Sequence, residues 1–221
     1  MMIKERLTEI KDQLPEYVTL VAVSKTKPAE MVLEAYEAGQ RVFGENRAQE
    51  LAEKHEQLPK DIEWHMIGHL QRNKVKVIAP FVNFIHGIDS SRLLKEVNKQ
   101  AKNNGRTIDV LLQFHIAQES SKFGFSMEEA EDLLQSELFQ SLDHIQIKGV
   151  MGMATFTSDS RQVREEFRQL KTYFDQLKST YFKADPHFKE ISMGMSGDYE
   201  IALAEGSTMI RIGSSIFGSR N

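Results

Sequence analysis

The feature that most constrains this chain is an alternation in which apolar, β-branched runs and amphipathic helical stretches follow one another from end to end. The first run, Val18-Thr19-Leu20-Val21-Ala22-Val23, is continuous and rich in valine, the pattern of a strand buried on both faces of a parallel sheet. Residues 18–23, 41–44, 63–67, 81–88, 108–116, 145–154, 189–193 and 208–212 read as strands. Between them, one helix starts at Pro28, carries Met31, Val32, Ala35 and Ala38 on one face and stops at Gly39. Further helices are expected around Leu51, Ala52, His55 and Leu58, over 72–79, and after Ser90-Ser91 with Leu93, Leu94, Val97 and Ala101. The pattern Ser126-Met127-Glu128-Glu129 is a capping box that opens another. Val163, Phe167, Leu170, Phe174, Leu177 and Tyr181 recur at spacings of four and three, a long amphipathic helix, and a short one follows at 198–205.

Eight strands alternating with helices predict a (β/α)8 TIM barrel. A doubly wound open sheet is the competing arrangement. It would bind a nucleotide through a glycine-rich first turn, whereas the turn here is Ser24-Lys25-Thr26-Lys27-Pro28. No Pro/Gly/Ser-rich linker or internal repeat divides the 221 residues, so one domain over 1–221 is expected. Acidic and basic residues interleave to a net charge of −4, which argues against a nucleic-acid surface. There is no cysteine, which excludes disulfides and thiolate metal sites. The first residues lack an apolar signal core, and no apolar run reaches membrane-spanning length. A cytoplasmic protein with no membrane partner is the expectation.

In a barrel of this kind the chemistry lies at the carboxyl ends of the strands. Lys25 stands there, directly after the first strand, where a partly desolvated amine can lose its proton and attack a carbonyl. From this segment alone, a solvated lysine at a strand end is the plainer reading. The ends of strands seven and eight commonly build a phosphate site. Here they read Ser192-Met193-Gly194-Met195-Ser196-Gly197-Asp198 and Arg211-Ile212-Gly213-Ser214-Ser215. Glycines let backbone approach an anion, and serine hydroxyls and helix N–H groups donate to it. Each stretch alone could be an ordinary turn or helix cap; together, in the two appropriate loops, they favour an anion site. A phosphate site opposite a nucleophilic lysine is what pyridoxal 5'-phosphate (PLP) requires.

The segments Val23-Ser24-Lys25-Thr26-Lys27-Pro28, Phe43-Gly44-Glu45-Asn46, Trp64-His65-Met66-Ile67-Gly68-His69-Leu70-Gln71-Arg72-Asn73-Lys74, Gly194-Met195-Ser196-Gly197-Asp198 and Arg211-Ile212-Gly213-Ser214-Ser215-Ile216-Phe217-Gly218 resemble the signatures of the pyridoxal phosphate homeostasis proteins. These are single-domain relatives of the alanine racemase N-terminal barrel, and the resemblance runs in order over 18–218. It implies that Lys25 holds PLP as a Schiff base and that Ser196, Gly213 and Ser214 hold its phosphate. It also implies that Arg211 faces the pyridine nitrogen, where a cation disfavours protonation and weakens the ring as an electron sink. Asn46 can hydrogen-bond the ring or simply form a turn. His65 reads as pocket-facing or as a satisfied core histidine. Met151, Met153, Met193 and Met195 alternate with other residues and read as barrel lining, Met153 also as a cofactor contact.

The chain departs from the family between strands five and six. Members usually show a Val-Asn pair and consecutive glutamates before Ser-Lys-x-Gly; here Phe114, His115 and Ser120 differ, while Ser121, Lys122 and Gly124 match. Lys122 reads as a solvated loop lysine or a second anion contact. The resemblance implies a PLP-binding protein of intracellular PLP homeostasis that buffers the cofactor or delivers it to PLP-dependent apoenzymes. A PLP-dependent amino-acid racemase is the alternative, and a Schiff-base aldolase is a weaker third. Racemisation needs acid/base groups on both faces of the substrate carbanion, and Tyr199 and Tyr36 are the tyrosines to examine for the second. A monomer is expected, since the sequence shows no counterpart of the racemases' β-domain.

Overall fold

The alternation closes on itself. A computed structural model describes residues 2–118 and 123–218. In chain order the elements are α1 (Ile3–Asp12), β1 (Thr19–Val23), α2 (Ala29–Glu37), β2 (Val42–Glu45), α3 (Ala48–Gln57), β3 (Glu63–Met66), α4 (Arg72–Ile78), β4 (Phe84–Ile88) and α5 (Ser91–Asn103). They continue with β5 (Ile108–Gln113), α6 (Met127–Gln135), α7 (Glu137–Gln140), β6 (Ile145–Met151), α8 (Ser160–Thr180), β7 (Glu190–Met195), α9 (Tyr199–Ala204), β8 (Met209–Ile212) and α10 (Ser214–Phe217). The strands form a closed parallel barrel in sequence order, with β8 returning to β1. Closure removes every sheet edge, and the helices cover the outside.

Two apolar clusters result. The larger lies between barrel and helices and includes Trp64, Phe43, Phe167 and Phe188, all fully buried. The smaller gathers Val21, Val23, Ile67, Phe84, Leu111, Met151 and Met209 inside the barrel. Successive side chains point alternately to the outer and inner clusters, so strands such as β4 and β8 are buried on both faces.

The capping box opening α6 forms as expected: Glu129 N–H donates to Ser126 Oγ at 3.1 Å, and Ser126 N–H donates to Glu129 Oε2 at 2.9 Å. The helix α1 has no counterpart in the sequence reading, although Ile3, Leu7 and Ile10 recur at helical spacing and are buried. Among the described residues a four-residue helix follows β8, and α1 packs against both it and α2. The N-terminal helix thereby takes the place of a full eighth helix in the outer ring.

Several strands are shorter than expected, for local reasons. Phe81 lies outside β4 and stacks on His55 of α3, with ring centroids 3.9 Å apart, in the helical layer. Strand β5 ends at Gln113 and β6 at Met151, where the chain turns toward the barrel mouth. The methionine alternation is corrected in part. Met151 lines the interior, but Met193 packs outward against the helices, and Met195 and Met153 are exposed. A register shift between Ser192 and Met195, with Gly194 at φ 95°, breaks the period of two on β7. Met153 lies two residues past the end of β6.

Another register shift, between β5 and β6, places Gly149 at φ 154°. A Cβ built there would sit 1.8 Å from the carbonyl oxygen of Glu190. Gly149→Ala is therefore expected to cost at least about 2 kcal/mol, because neither the backbone angle nor the neighbouring strand can accommodate the methyl. Equilibrium urea unfolding measures this; a midpoint equal to the parent's would contradict the placement.

Candidate functional site

Barrel closure brings the carboxyl ends of β7, β8, β1 and β2 side by side. Val21 pairs with Arg211 and Ala22 with Ile212, so Gly213 lies beside Val23, two residues before Lys25. The approach is close: a Cβ on Gly213 would come within 3.1 Å of the Val23 carbonyl oxygen. Gly213 N–H in turn donates to Ser196 Oγ at 3.3 Å, joining the loops after β7 and β8. Ser214 is exposed and begins α10; the Ile216 and Phe217 amides donate to Gly213 O at 3.0 and 2.9 Å, which leaves those of Ser214 and Ser215 facing out of the helix start. Asp198 Oδ1 accepts from Met195 N–H at 2.6 Å and fixes the turn that carries Ser196.

Lys25 is half-buried in the turn after β1. The next residue, Thr26, has φ 62°, a left-handed conformation that costs a β-branched residue about 1–3 kcal/mol. A buried ionic cluster holds that turn. Lys54 Nζ on α3 donates to Ser24 O at 2.7 Å, to Glu45 Oε1 at 2.6 Å and to Glu50 Oε1 at 2.8 Å. Ser24 Oγ donates to Glu45 Oε1, and Thr26 N–H donates to Glu50 Oε1, each at 2.6 Å. Both residues flanking Lys25 are thus tied to one ammonium group. Glu45 is fully buried; burial raises its pKa and Lys54 acts in opposition. Lys54 and Glu50 went unnoticed in the sequence, although their i,i+4 spacing with the acid first is a recognised pairing signal.

Arg211 is the second anchor. It is 4 % exposed, donates from one terminal nitrogen to Ser192 Oγ at 2.6 Å and from the other to Gly152 O at 3.1 Å. Burial lowers its pKa to about 10, and Asp198 acts in the opposite direction. Among the described residues no carboxylate lies within ion-pair distance of it, so a buried cation has only neutral partners. Asn46, half-buried just past β2, has its carbonyl against the loop after β3, where a Cβ on Gly68 would lie 2.6 Å away. Met153 is 42 % exposed, two residues past the end of β6.

His65 is 5 % exposed inside the barrel and is hydrogen-bonded there. Its Nδ1 lies 2.9 Å from His86 Nε2, and burial pushes its pKa down to about 3. His86 and Ser192 were not singled out by the sequence reading. Lys122 lies outside the described residues.

Residues 2–221 match the family described as the alanine racemase N-terminal domain. A pyridoxal phosphate homeostasis protein of Vibrio alginolyticus is 41% identical over 212 residues, covering 94% of this chain and 88% of that one. The chain belongs to this family. Among solved structures, PipY of Synechococcus elongatus without PLP superposes with a TM-score of 0.92 at 37% identity, covering 98% of this chain and 100% of that one. The same protein with PLP bound gives a TM-score of 0.89 at 36% identity, with the same coverage. The family's barrel is the architecture described above. Among the described residues no helix is long and apolar enough to cross a membrane.

Proposed function

We propose that this chain binds pyridoxal 5'-phosphate through a covalent link to Lys25 and serves PLP homeostasis by buffering the cofactor or passing it to PLP-dependent apoenzymes. The observation that carries the reading is the juxtaposition of a strained, clamped lysine turn with a buried Arg211 on the adjoining strand, hydrogen-bonded to a hydroxyl and a carbonyl rather than to a carboxylate. The residues fit the group. A guanidinium whose partners among the described residues are a hydroxyl and a carbonyl has donors left for an electron-rich ring atom. Ser196, Gly213 and Ser214 form a cradle suited to phosphate, next to the lysine.

When bound, the cofactor supplies an amine-reactive aldehyde and an electron-withdrawing ring. The chain's own residues define how it is held. Lys25 would provide the amine that bonds the aldehyde, and Ser196 with the Ser214 and Ser215 amides at the start of α10 would donate hydrogen bonds to the phosphate. Arg211 would face the ring nitrogen and disfavour a proton there, which would restrain carbanion chemistry. Asn46 and Met153 would border the ring. Racemisation would require a second acid/base group, and Tyr36 is poorly placed for it. Its hydroxyl bonds Asp61, which precedes β3 and so belongs to the opposite end of the barrel. That removes Tyr36 as the second group and leaves Tyr199, which opens α9 on the carboxyl side of β7.

The test is the visible spectrum of the PLP-equilibrated protein, then borohydride reduction and peptide mapping. A yellow protein with the pyridoxyl label on Lys25 is expected. A colourless protein that takes up no PLP would reduce the reading to a fold assignment.

A further inference from the structure

The barrel interior contains buried polar side chains that join Arg211 to residues with no part in the site described so far. TIM barrels normally fill this space with branched aliphatic residues. Here Arg211 on β8, Ser192 on β7, His86 on β4 and His65 on β3 are all at most 5 % exposed. They form one continuous chain of hydrogen bonds. Arg211 meets Ser192 Oγ at 2.6 Å, Ser192 Oγ meets His86 Nδ1 at 3.0 Å, and His86 Nε2 meets His65 Nδ1 at 2.9 Å. Strands β4 and β7 are not neighbours in the barrel, so the middle bond crosses the interior instead of following the wall.

Hydrogen-bond capacity fixes the direction of this chain. A guanidinium has donors only, so Ser192 Oγ must accept from Arg211. The serine has one proton, and among the described residues its available acceptor is His86 Nδ1. His86 then carries its own proton on Nε2 and donates it to His65 Nδ1, which leaves His65 protonated on Nε2. The reverse arrangement, with His86 donating to Ser192, would strand the buried hydroxyl proton and cost about 1–3 kcal/mol. A cationic His86 would strand the same proton and would add a second buried charge next to Arg211. Burial opposes that charge on both imidazoles.

We propose that Ser192, His86 and His65 form a one-way hydrogen-bond relay, with both histidines as neutral Nε2–H tautomers, that positions Arg211 against the ring of the bound cofactor. This rests on the PLP reading. Ser192 and Gly152 O grip different terminal nitrogens of the guanidinium and so set its plane. The acceptors are a hydroxyl and a carbonyl, which position the cation without neutralising it. Ser192, His86 and His65 are positioning residues; none is required to touch the cofactor.

The first measurement needs no cofactor. Nitrogen-15 NMR of the imidazoles in the PLP-free protein at neutral pH, assigned with His65→Phe and His86→Phe, should show a pyrrole-type Nε2 and a pyridine-type Nδ1 at both positions. A proton on His86 Nδ1, or a cationic imidazole at either site, would overturn the relay.

The second uses the PLP-loaded protein. Ser192→Ala should shift the absorption maximum of the Lys25-bound cofactor and weaken PLP retention by about tenfold, the effect of losing one hydrogen bond to a charged group. His86→Phe should move the absorption in the same direction, and the double variant should move it no further than the larger single change. Should His86→Phe not fold, Ser192→Ala and the NMR experiment decide. Wild-type uptake of PLP with a parental spectrum and affinity in Ser192→Ala would overturn the positioning role and leave the PLP reading standing. A wild-type protein that takes up no PLP would overturn both, even with the tautomers as assigned.

Discussion

Lys25→Ala is expected to abolish the borohydride-fixed pyridoxyl label completely while the barrel stays folded. The two outcomes separate because the residue's place in the fold and its chemistry are carried by different atoms. The turn is held by Ser24 O, Ser24 Oγ and Thr26 N–H, all bound to the Lys54–Glu45–Glu50 cluster, none of which the substitution removes. The side chain is half-buried beyond the end of β1 and belongs to neither apolar cluster, so truncation leaves no core cavity. The amine has no substitute at that place in this turn. Lys27 is two residues further on, outside the span that the ionic cluster brackets. PLP should still enter the site weakly, held by the Ser196 and Gly213 loops and by Arg211, and should be lost on dialysis. Intact mass after reduction reads the label, and far-ultraviolet circular dichroism reads the fold. A label of parental stoichiometry in the variant would place the covalent anchor on another lysine.

How much of this was legible from sequence depends on what kind of signal each residue leaves. Lys25, Arg211 and Gly213 follow or end runs that can only be strands, and in an alternating parallel barrel every strand end of that polarity faces one side. Their grouping therefore follows from order alone, before any distance is known. His86 and Ser192 leave no such mark, because a polar residue on a strand looks the same whether it faces solvent or crosses the barrel. Only closure, which sets β4 opposite β7, makes them partners. Met195 failed for a local reason: the register shift at Gly194 is a backbone event that a period-two count cannot detect. Helix α1 did carry its signal, in Ile3, Leu7 and Ile10, but its purpose of completing the helical ring depends on how short α10 is.

Lys54→Met should destabilise the fold by about 3–5 kcal/mol, the usual cost of stranding one member of a buried ion pair. The methionine can fill the space of the lysine stem, so packing is largely kept and the loss is electrostatic. Glu45 would retain the hydrogen bond from Ser24 and lose its counter-ion, and its Oε2 already has no partner among the described residues. Burial, now opposed by less, would raise its pKa further above the ordinary value of 4.5. The sign of the pH effect follows. A carboxyl that holds its proton more tightly folded than unfolded binds more protons in the folded state, so stability falls as pH rises from about 4.5 toward the raised folded value. The deficit of the variant should accordingly be larger at pH 8 than at pH 5. Glu45→Gln combined with Lys54→Met removes the stranded charge and should recover most of the loss. It should not restore the turn, because Ser24 O has lost its donor and Glu50 is no longer pinned against Thr26 N–H. The double variant is thus expected to be stable yet slow to form the Lys25 adduct, separating what this cluster contributes to the fold from what it contributes to the site. Urea midpoints at the two pH values, with the rate of adduct formation followed by absorbance, measure both. A double variant that regains stability and also forms the adduct at the parental rate would show that the cluster supports the barrel without positioning Lys25.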